Sequence, residues 1–313
     1  MTNIGFFGKL KAYFKNSDVL MQFIYINIGV FVMVSIAGLI CKNGFDVENK
    51  DLFNYLNENL FVYLNLPSSF AYFIKKPWTI ITYSFLHFDF WHILFNMLLL
   101  YWFGRIFLRV FNGRQLGGLY VMGGFFGGLL YIAAFGVFSY HTGFSLSNHP
   151  LVGASASVFA IMVAPAIVVP NYSLRLFLFG NVRLKYITII AVALIVFRDL
   201  AALKTETDLG VLAHLGGGLT GVCFALAYIR SIDITSPVNN AIDKLINLFK
   251  TGNGEKVSYE NRSEQTRRET DLEYNARKRS EEEEIDRILD KLKKSGYESL
   301  SSDEKKHLFN AGK

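Results

Sequence analysis

Cysteine is almost missing from this chain of 313 residues, which holds two, Cys41 and Cys223, at the end of or inside apolar runs. A disulfide framework is excluded as the source of stability, and redox chemistry is not indicated. Charge is also scarce: Asp, Glu, Lys and Arg make up 19%, against 51% hydrophobic and 15% aromatic residues. With a positive mean hydropathy, that balance is too apolar for an ordinary soluble domain and indicates a polytopic membrane protein. The small basic surplus is uneven. Residues 1–230 hold 16 Lys and Arg against 9 Asp and Glu, whereas residues 231–313 hold 16 against 17. The surplus therefore belongs to the apolar part, where it sets topology, and no nucleic-acid partner is implied.

Apolar runs near 18 residues or longer indicate helical spans. Six are predicted, at about 19–41, 90–111, 117–138, 152–169, 186–203 and 209–229. Lys9, Lys11 and Lys15 precede the first, Arg105, Arg109 and Arg114 lie after the second, and Arg175, Arg183 and Lys185 follow the fourth. Opposite loops carry Asp46, Glu48, Asp51, Glu58, Asp89, Glu206 and Asp208, and the connection 139–150 lacks Lys and Arg. This alternation places both termini in the cytoplasm. The first run is too long for a signal-peptide core and no cleavage site follows it, so it is expected to remain as a span.

Between the first two spans, Leu52, Phe53, Leu56, Leu60, Phe61 and Leu64 recur at helical spacing. They predict an amphipathic helix, either sunk into the outer headgroup region or packed on the protein's own outer surface. Beyond Arg230 the composition shifts. Residues 251–258 read as a linker, Ile285, Ile288, Leu289 and Leu292 predict a helix ended by Gly296, and Ser301 with Glu304 forms a capping-box signature. Two domains are expected: a membrane domain over 1–230 and a charged helical cytoplasmic tail over 231–313.

Three spans carry polar groups near one end. Ionisable groups inside apolar runs are costly to insert and are functional candidates by default. Ser155 lies five residues past Pro150 and His214 six past Asp208, so each sits about 7–9 Å below the outer boundary at the helical rise. At matching depth they can meet. A serine hydroxyl needs a neighbouring base to take its proton, and a neutral histidine can do so. His92 and Asn96, at i and i+4, share a helix face and could donate hydrogen bonds to a developing oxyanion. Gly217 and Gly221 form a small-xxx-small surface that brings helices close, and Gly153, Ala154 and Ala156 do likewise beside the serine. Ser157 points to another face and reads as packing.

These residues resemble the rhomboid family of intramembrane serine proteases. His87-Phe-Asp-Phe-Trp-His92-Ile-Leu-Phe-Asn96 looks like its second-span motif, and Gly153-Ala154-Ser155 like its G-x-S motif. Ala213-His214-Leu215-Gly216-Gly217 with Gly221 is similar to its sixth-span motif, and Trp78 resembles the tryptophan of a first-loop pair. The resemblance implies an all-α, six-span bundle with Ser155 as nucleophile and His214 as general base and later acid. His92, Asn96 and the Ser155 N–H would form the oxyanion hole, and no metal or cofactor is implied. Ala156 stands where the family most often has glycine, Phe159 where a tyrosine commonly stacks on the histidine, Thr79 in place of an arginine, and Tyr83 in place of a histidine seen in some members.

The implied partners are the lipid bilayer and transmembrane protein substrates, cut where a helix unwinds easily. The expected location is a bacterial inner membrane, with the region 186–203 admitting substrate. Other classes fit less well. A metalloprotease needs His-Glu-x-x-His, which is missing. An aspartyl enzyme needs two intramembrane aspartates, and only Asp199 stands out, beside a partner in Arg198. A non-catalytic helix-binding relative would be expected to lose Ser155 or His214, and a transporter would place polar groups at midplane in repeated halves.

Overall fold

The computed structural model describes residues 6–44, 61–142, 150–176, 180–202 and 210–249, and in the tail 287–288, 290–292, 294, 299–301 and 303–305. Two compact units result, residues 1–249 and 250–313. In the first, α1 (Phe6–Asn16) leads into α2 (Val19–Gly44), then α3 (Phe90–Phe107), α4 (Gly113–Thr142) and α5 (Ser155–Val168). A two-stranded antiparallel hairpin, β1 (Ser173–Leu176) and β2 (Gly180–Arg183), precedes α6 (Leu184–Ala202), α7 (Gly210–Ile229) and α8 (Ser236–Phe249).

α5 lies at the centre, with α3, α4, α6 and α7 packed around it. It is apolar on every side, as a helix enclosed by others must be, and its small residues Ala156, Ala160 and Ala164 are all buried. Among the described residues, four helices, within Val19–Ile40, Phe90–Phe107, Gly113–Val137 and Gly210–Ile229, are long and apolar enough to cross a bilayer. α5, at 14 residues, is about 21 Å long against a hydrocarbon core of about 30 Å. α6 has 19 residues but carries Lys185, Arg198 and Asp199. Outward-facing Ile28, Met33, Ile36 and Leu39 on α2 and Ile190, Leu194 and Phe197 on α6 are exposed, as lipid-facing side chains would be.

Several polar groups in the bundle are paired between segments distant in sequence. On α2, buried Asn27 donates to the Tyr120 hydroxyl at 3.0 Å, and that hydroxyl donates to the Ser84 carbonyl at 2.9 Å. At the basic end, Arg105 pairs with Asp18 at 2.6 Å, Arg114 with Asp243 at 2.7 Å, and Arg109 reaches the Tyr172 hydroxyl at 2.5 Å. The starts of α2, α4 and α8 therefore gather with the end of α3 and the approach to the hairpin. The starts of α3, α5 and α7 stand at the opposite end.

The amphipathic helix expected over Leu52–Leu64 lies mostly outside the described residues. At its end, Phe61–Tyr63 form a 3-10 turn in which buried Phe61 meets the Phe88 ring edge-on, followed by short helices at Phe70–Lys75 and Thr79–Thr82. The reason is local. Asn65 and Pro67 interrupt the periodicity, and the loop pairs with the bundle through backbone bonds between Leu66 and Leu151 at 3.1 and 2.8 Å.

The linker 251–258, Ile285, Leu289 and Gly296 also lie outside the described residues. In the tail, Ile288 and Leu300 are buried. The capping box forms: the Ser301 N–H donates to the Glu304 carboxylate at 2.7 Å, and the Glu304 N–H to Ser301 Oγ at 3.2 Å.

Candidate active site

The chain enters α5 along a path held by backbone bonds. The Gly153 N–H donates to the Tyr83 carbonyl at 3.0 Å, and the Ala154 N–H to His87 Nε2 at 3.5 Å. Gly153 has φ +117°, a conformation essentially confined to glycine. A Cβ there would lie 2.8 Å from His92 Nε2 and 3.8 Å from Ser155 Oγ, so the bare backbone lets the His92 ring and the Ser155 hydroxyl approach one another. Ser155 is the first residue of α5. Its N–H belongs to the helical turn whose amides have no intrahelical acceptor and whose dipole favours negative charge.

His92 is aimed by the start of α3, where the Asp89 carboxylate caps the helix by accepting from the His92 N–H at 2.8 Å. Asn96, one turn on and buried, donates from Nδ2 to the His92 carbonyl at 2.9 Å. One of its two amide hydrogens is thus spoken for and the other is available. His87 meets His92 edge-on at 5.0 Å between centroids. Burial, with His92 beside it, pushes the His87 pKa down to about 3. A neutral ring is also what accepting from Ala154 requires.

His214 stands one turn into α7 and is buried. Its ring stacks on Phe159 at 4.7 Å and 8°. Phe159 follows Ser155 by one turn, so the imidazole lies on the α5 face that carries the serine. His214 Nδ1 is engaged by Asp199 Oδ2 of α6 at 2.5 Å, which leaves Nε2 as the nitrogen open to other chemistry. Helix proximity follows from missing side chains. A Cβ at Gly217 would fall on the Ala156 carbonyl, and one at Gly221 would lie 2.6 Å from the Ala160 carbonyl oxygen.

A family model described as a rhomboid domain matches residues 75–231. The chain belongs to the rhomboid family. A second model, described as a family of unknown function, DUF6576, matches residues 268–310. No curated protein matches the chain. With its apolar helices, this rhomboid is an integral multi-pass membrane protein.

The rhomboid match spans every candidate position from Trp78 to Gly221. The fold gathers Gly153, Ser155, His92 and His87 at one point and Phe159, His214 and Asp199 beside it, with Asn96 one turn below His92. Trp78 plays a different part: half exposed, it donates from Nε1 to the Tyr63 carbonyl at 2.7 Å and organises the preceding loop. Tyr83 is buried and donates to the Gly124 carbonyl at 2.6 Å, and Thr79 Oγ1 donates to the Lys76 carbonyl at 2.6 Å. Ser157 is buried on another face, beside Gly123 and Gly124.

Two features escaped the sequence reading. One is the contact of Asp199 with His214, since Asp199 looked paired with its neighbour Arg198. The other is the glycine face of α4. A Cβ at Gly123 would lie 2.8 Å from Ala160 Cβ, and one at Gly127 2.8 Å from the Ala213 carbonyl oxygen. The four-residue spacing of those glycines was a readable signal.

Two measurements check this geometry. Gly153→Ala is expected to cost about 1–3 kcal/mol, because alanine must adopt a glycine conformation while its Cβ displaces His92; thermal melting in detergent reads the loss. For His87, an ordinary pKa of 6.5 falls to about 3 on folding, so the unfolded chain binds the extra proton. Its contribution is complete above about pH 6.5 and is lost as pH falls toward about 3. The melting temperature of wild type is therefore expected to drop more across that window than that of His87→Asn.

Proposed function

We propose that this rhomboid is an intramembrane serine endopeptidase that cleaves transmembrane segments of other membrane proteins. The observation that carries the reading is the His214 imidazole, held on Phe159 on the Ser155 face of α5 with Nε2 left open. In this mechanism Ser155 Oγ attacks a peptide carbonyl as His214 Nε2 takes the hydroxyl proton. The tetrahedral oxyanion is met by the Ser155 N–H at the start of α5, by His92 and by the free amide hydrogen of Asn96. Collapse passes the proton from His214 to the leaving amine and leaves an acyl-Ser155 ester, which water then hydrolyses by the same route.

The substrate is a helix that unwinds near the outer end of the bundle, since intact helical hydrogen bonds shield a peptide carbonyl. α5 and α6 cross together with α2, α3, α4 and α7, giving six spans. The basic end carrying Arg105, Arg109 and Arg114 faces the cytoplasm, so both termini are cytoplasmic, in a bacterial inner membrane. Residues 1–230 are the membrane domain and 231–313 the tail.

The test is cleavage of a single-span substrate by purified protein in liposomes, with Ser155→Ala alongside. Cleavage by wild type alone is expected. Cleavage by both forms would reject Ser155 as nucleophile, and helix binding without cleavage by either would favour a non-catalytic rhomboid-like protein.

A further inference from the structure

A serine–histidine dyad leaves His214 Nδ1 without an assigned role, yet that nitrogen has a built partner. Asp199 lies near the end of α6 and His214 near the start of α7, and their side chains meet. The Asp199 side chain is 1% exposed, and its Oδ2 stands 2.5 Å from His214 Nδ1. Its other oxygen, Oδ1, accepts from Arg198 Nε at 3.2 Å and from a terminal guanidinium nitrogen at 2.9 Å. The Arg198 side chain is 68% exposed. A carboxylate buried within an apolar bundle is costly, and a bond to a neighbour on its own helix would not require it to point inward.

We propose that Asp199 is a positioning residue for the hydrolytic site, holding His214 in the tautomer that carries its proton on Nδ1 and its lone pair on Nε2. The inference rests on the serine-protease reading of Ser155 and His214. When Ser155 Oγ–H transfers its proton to Nε2, both ring nitrogens carry protons. The Asp199 carboxylate then faces the imidazolium as its counter-ion and does not itself take the proton. Arg198, on Oδ1, keeps the carboxylate oriented from the exposed side. Phe159 fixes the plane of the ring and Asp199 fixes which of its edges carries Nδ1. Neither constraint suffices alone, because a stacked ring can still flip by 180° about its Cβ–Cγ bond, which exchanges Nδ1 with Cδ2.

The experiment uses the full chain in detergent and reads three quantities: cleavage of the single-span substrate, the rate of Ser155 labelling by a small fluorophosphonate, and the melting temperature. Asp199→Asn keeps the shape and removes the charge. It is expected to lower kcat and the labelling rate by about 10²- to 10⁴-fold with KM within about threefold and the fold retained. In Asp199→Ala, added formate is expected to restore part of the labelling rate, which a purely structural role would not allow. Wild-type rates in Asp199→Asn, or a fall in labelling that tracks unfolding and resists formate, would overturn the proposal. Ser155→Ala separates the two readings. If it labels as wild type does, the protease reading fails; if it does not label while Asp199→Asn labels as wild type does, the protease reading stands and the role of Asp199 falls.

Discussion

Ser155→Ala is expected to abolish peptide-bond hydrolysis while leaving the melting temperature within a degree or two of wild type. Removing the nucleophile of a serine hydrolase costs on the order of 10⁶-fold in kcat where it has been dissected, and the remainder comes from binding and oxyanion contacts. The side chain is partly exposed at the first position of α5, and α5 forms without a side-chain cap. Little packing is lost when Oγ goes. His214→Ala is the informative contrast, because the same loss of turnover is expected with a large loss of stability. Without the imidazole, Phe159 loses its stacked neighbour and the buried Asp199 carboxylate loses the partner on Oδ2. Leaving a buried hydrogen-bond acceptor without its partner costs about 1–3 kcal/mol, and more when the acceptor is charged. Residual hydrolysis by Ser155→Ala within tenfold of wild type would sink the assignment of the nucleophile.

Gly217→Val is expected to be the most damaging substitution outside the reacting groups. A Cβ at Gly217 would coincide with the backbone carbonyl of Ala156, which is no flexible side chain able to swing aside. α5 and α7 must then separate. Overpacking a tight core typically costs about 1–3 kcal/mol per substitution, and the branched side chain adds to that where the obstruction is backbone. The functional loss is expected to be larger than the stability loss. A displacement of about 1 Å between reacting groups costs about 10²-fold, and α7 carries His214 while α5 carries Ser155. Melting in detergent and fluorophosphonate labelling of Ser155 check the two effects separately, with Gly218→Val as the control, since Gly218 has no atom within 4 Å of a Cβ position. Equal behaviour of the two valine variants would refute the close-packing account.

The glycine positions mark where sequence alone could and could not be read. Gly217 and Gly221, four apart in an apolar run, announced a close helix contact, but their counterpart Gly123 and Gly127 went unread because no serine, histidine or carboxylate stands beside them in α4. His92 and Asn96 were legible as one helix face because i and i+4 spacing is a local property. That Asn96 spends one amide hydrogen on the His92 carbonyl depends on a rotamer, which spacing does not specify. The 14-residue length of α5 and the hairpin after it were not legible either. An apolar run continues through Val169, while the helix stops at Val168 and the chain turns into a strand that pairs with Gly180–Arg183.

By itself the sequence determined that the chain is a helical membrane protein, and it offered Ser155 and His214 as candidates near the starts of two apolar runs. Both follow from composition and periodicity. Only the tertiary structure decided which faces meet. It turned Asp199 from a neighbour of Arg198 into the partner of His214, because partners on adjacent helices are chosen by how those helices pack and rotate. It also set His92 against the bare backbone of Gly153, because a positive φ is adopted only where the surrounding loops at Tyr83 and Leu66 hold the chain in place.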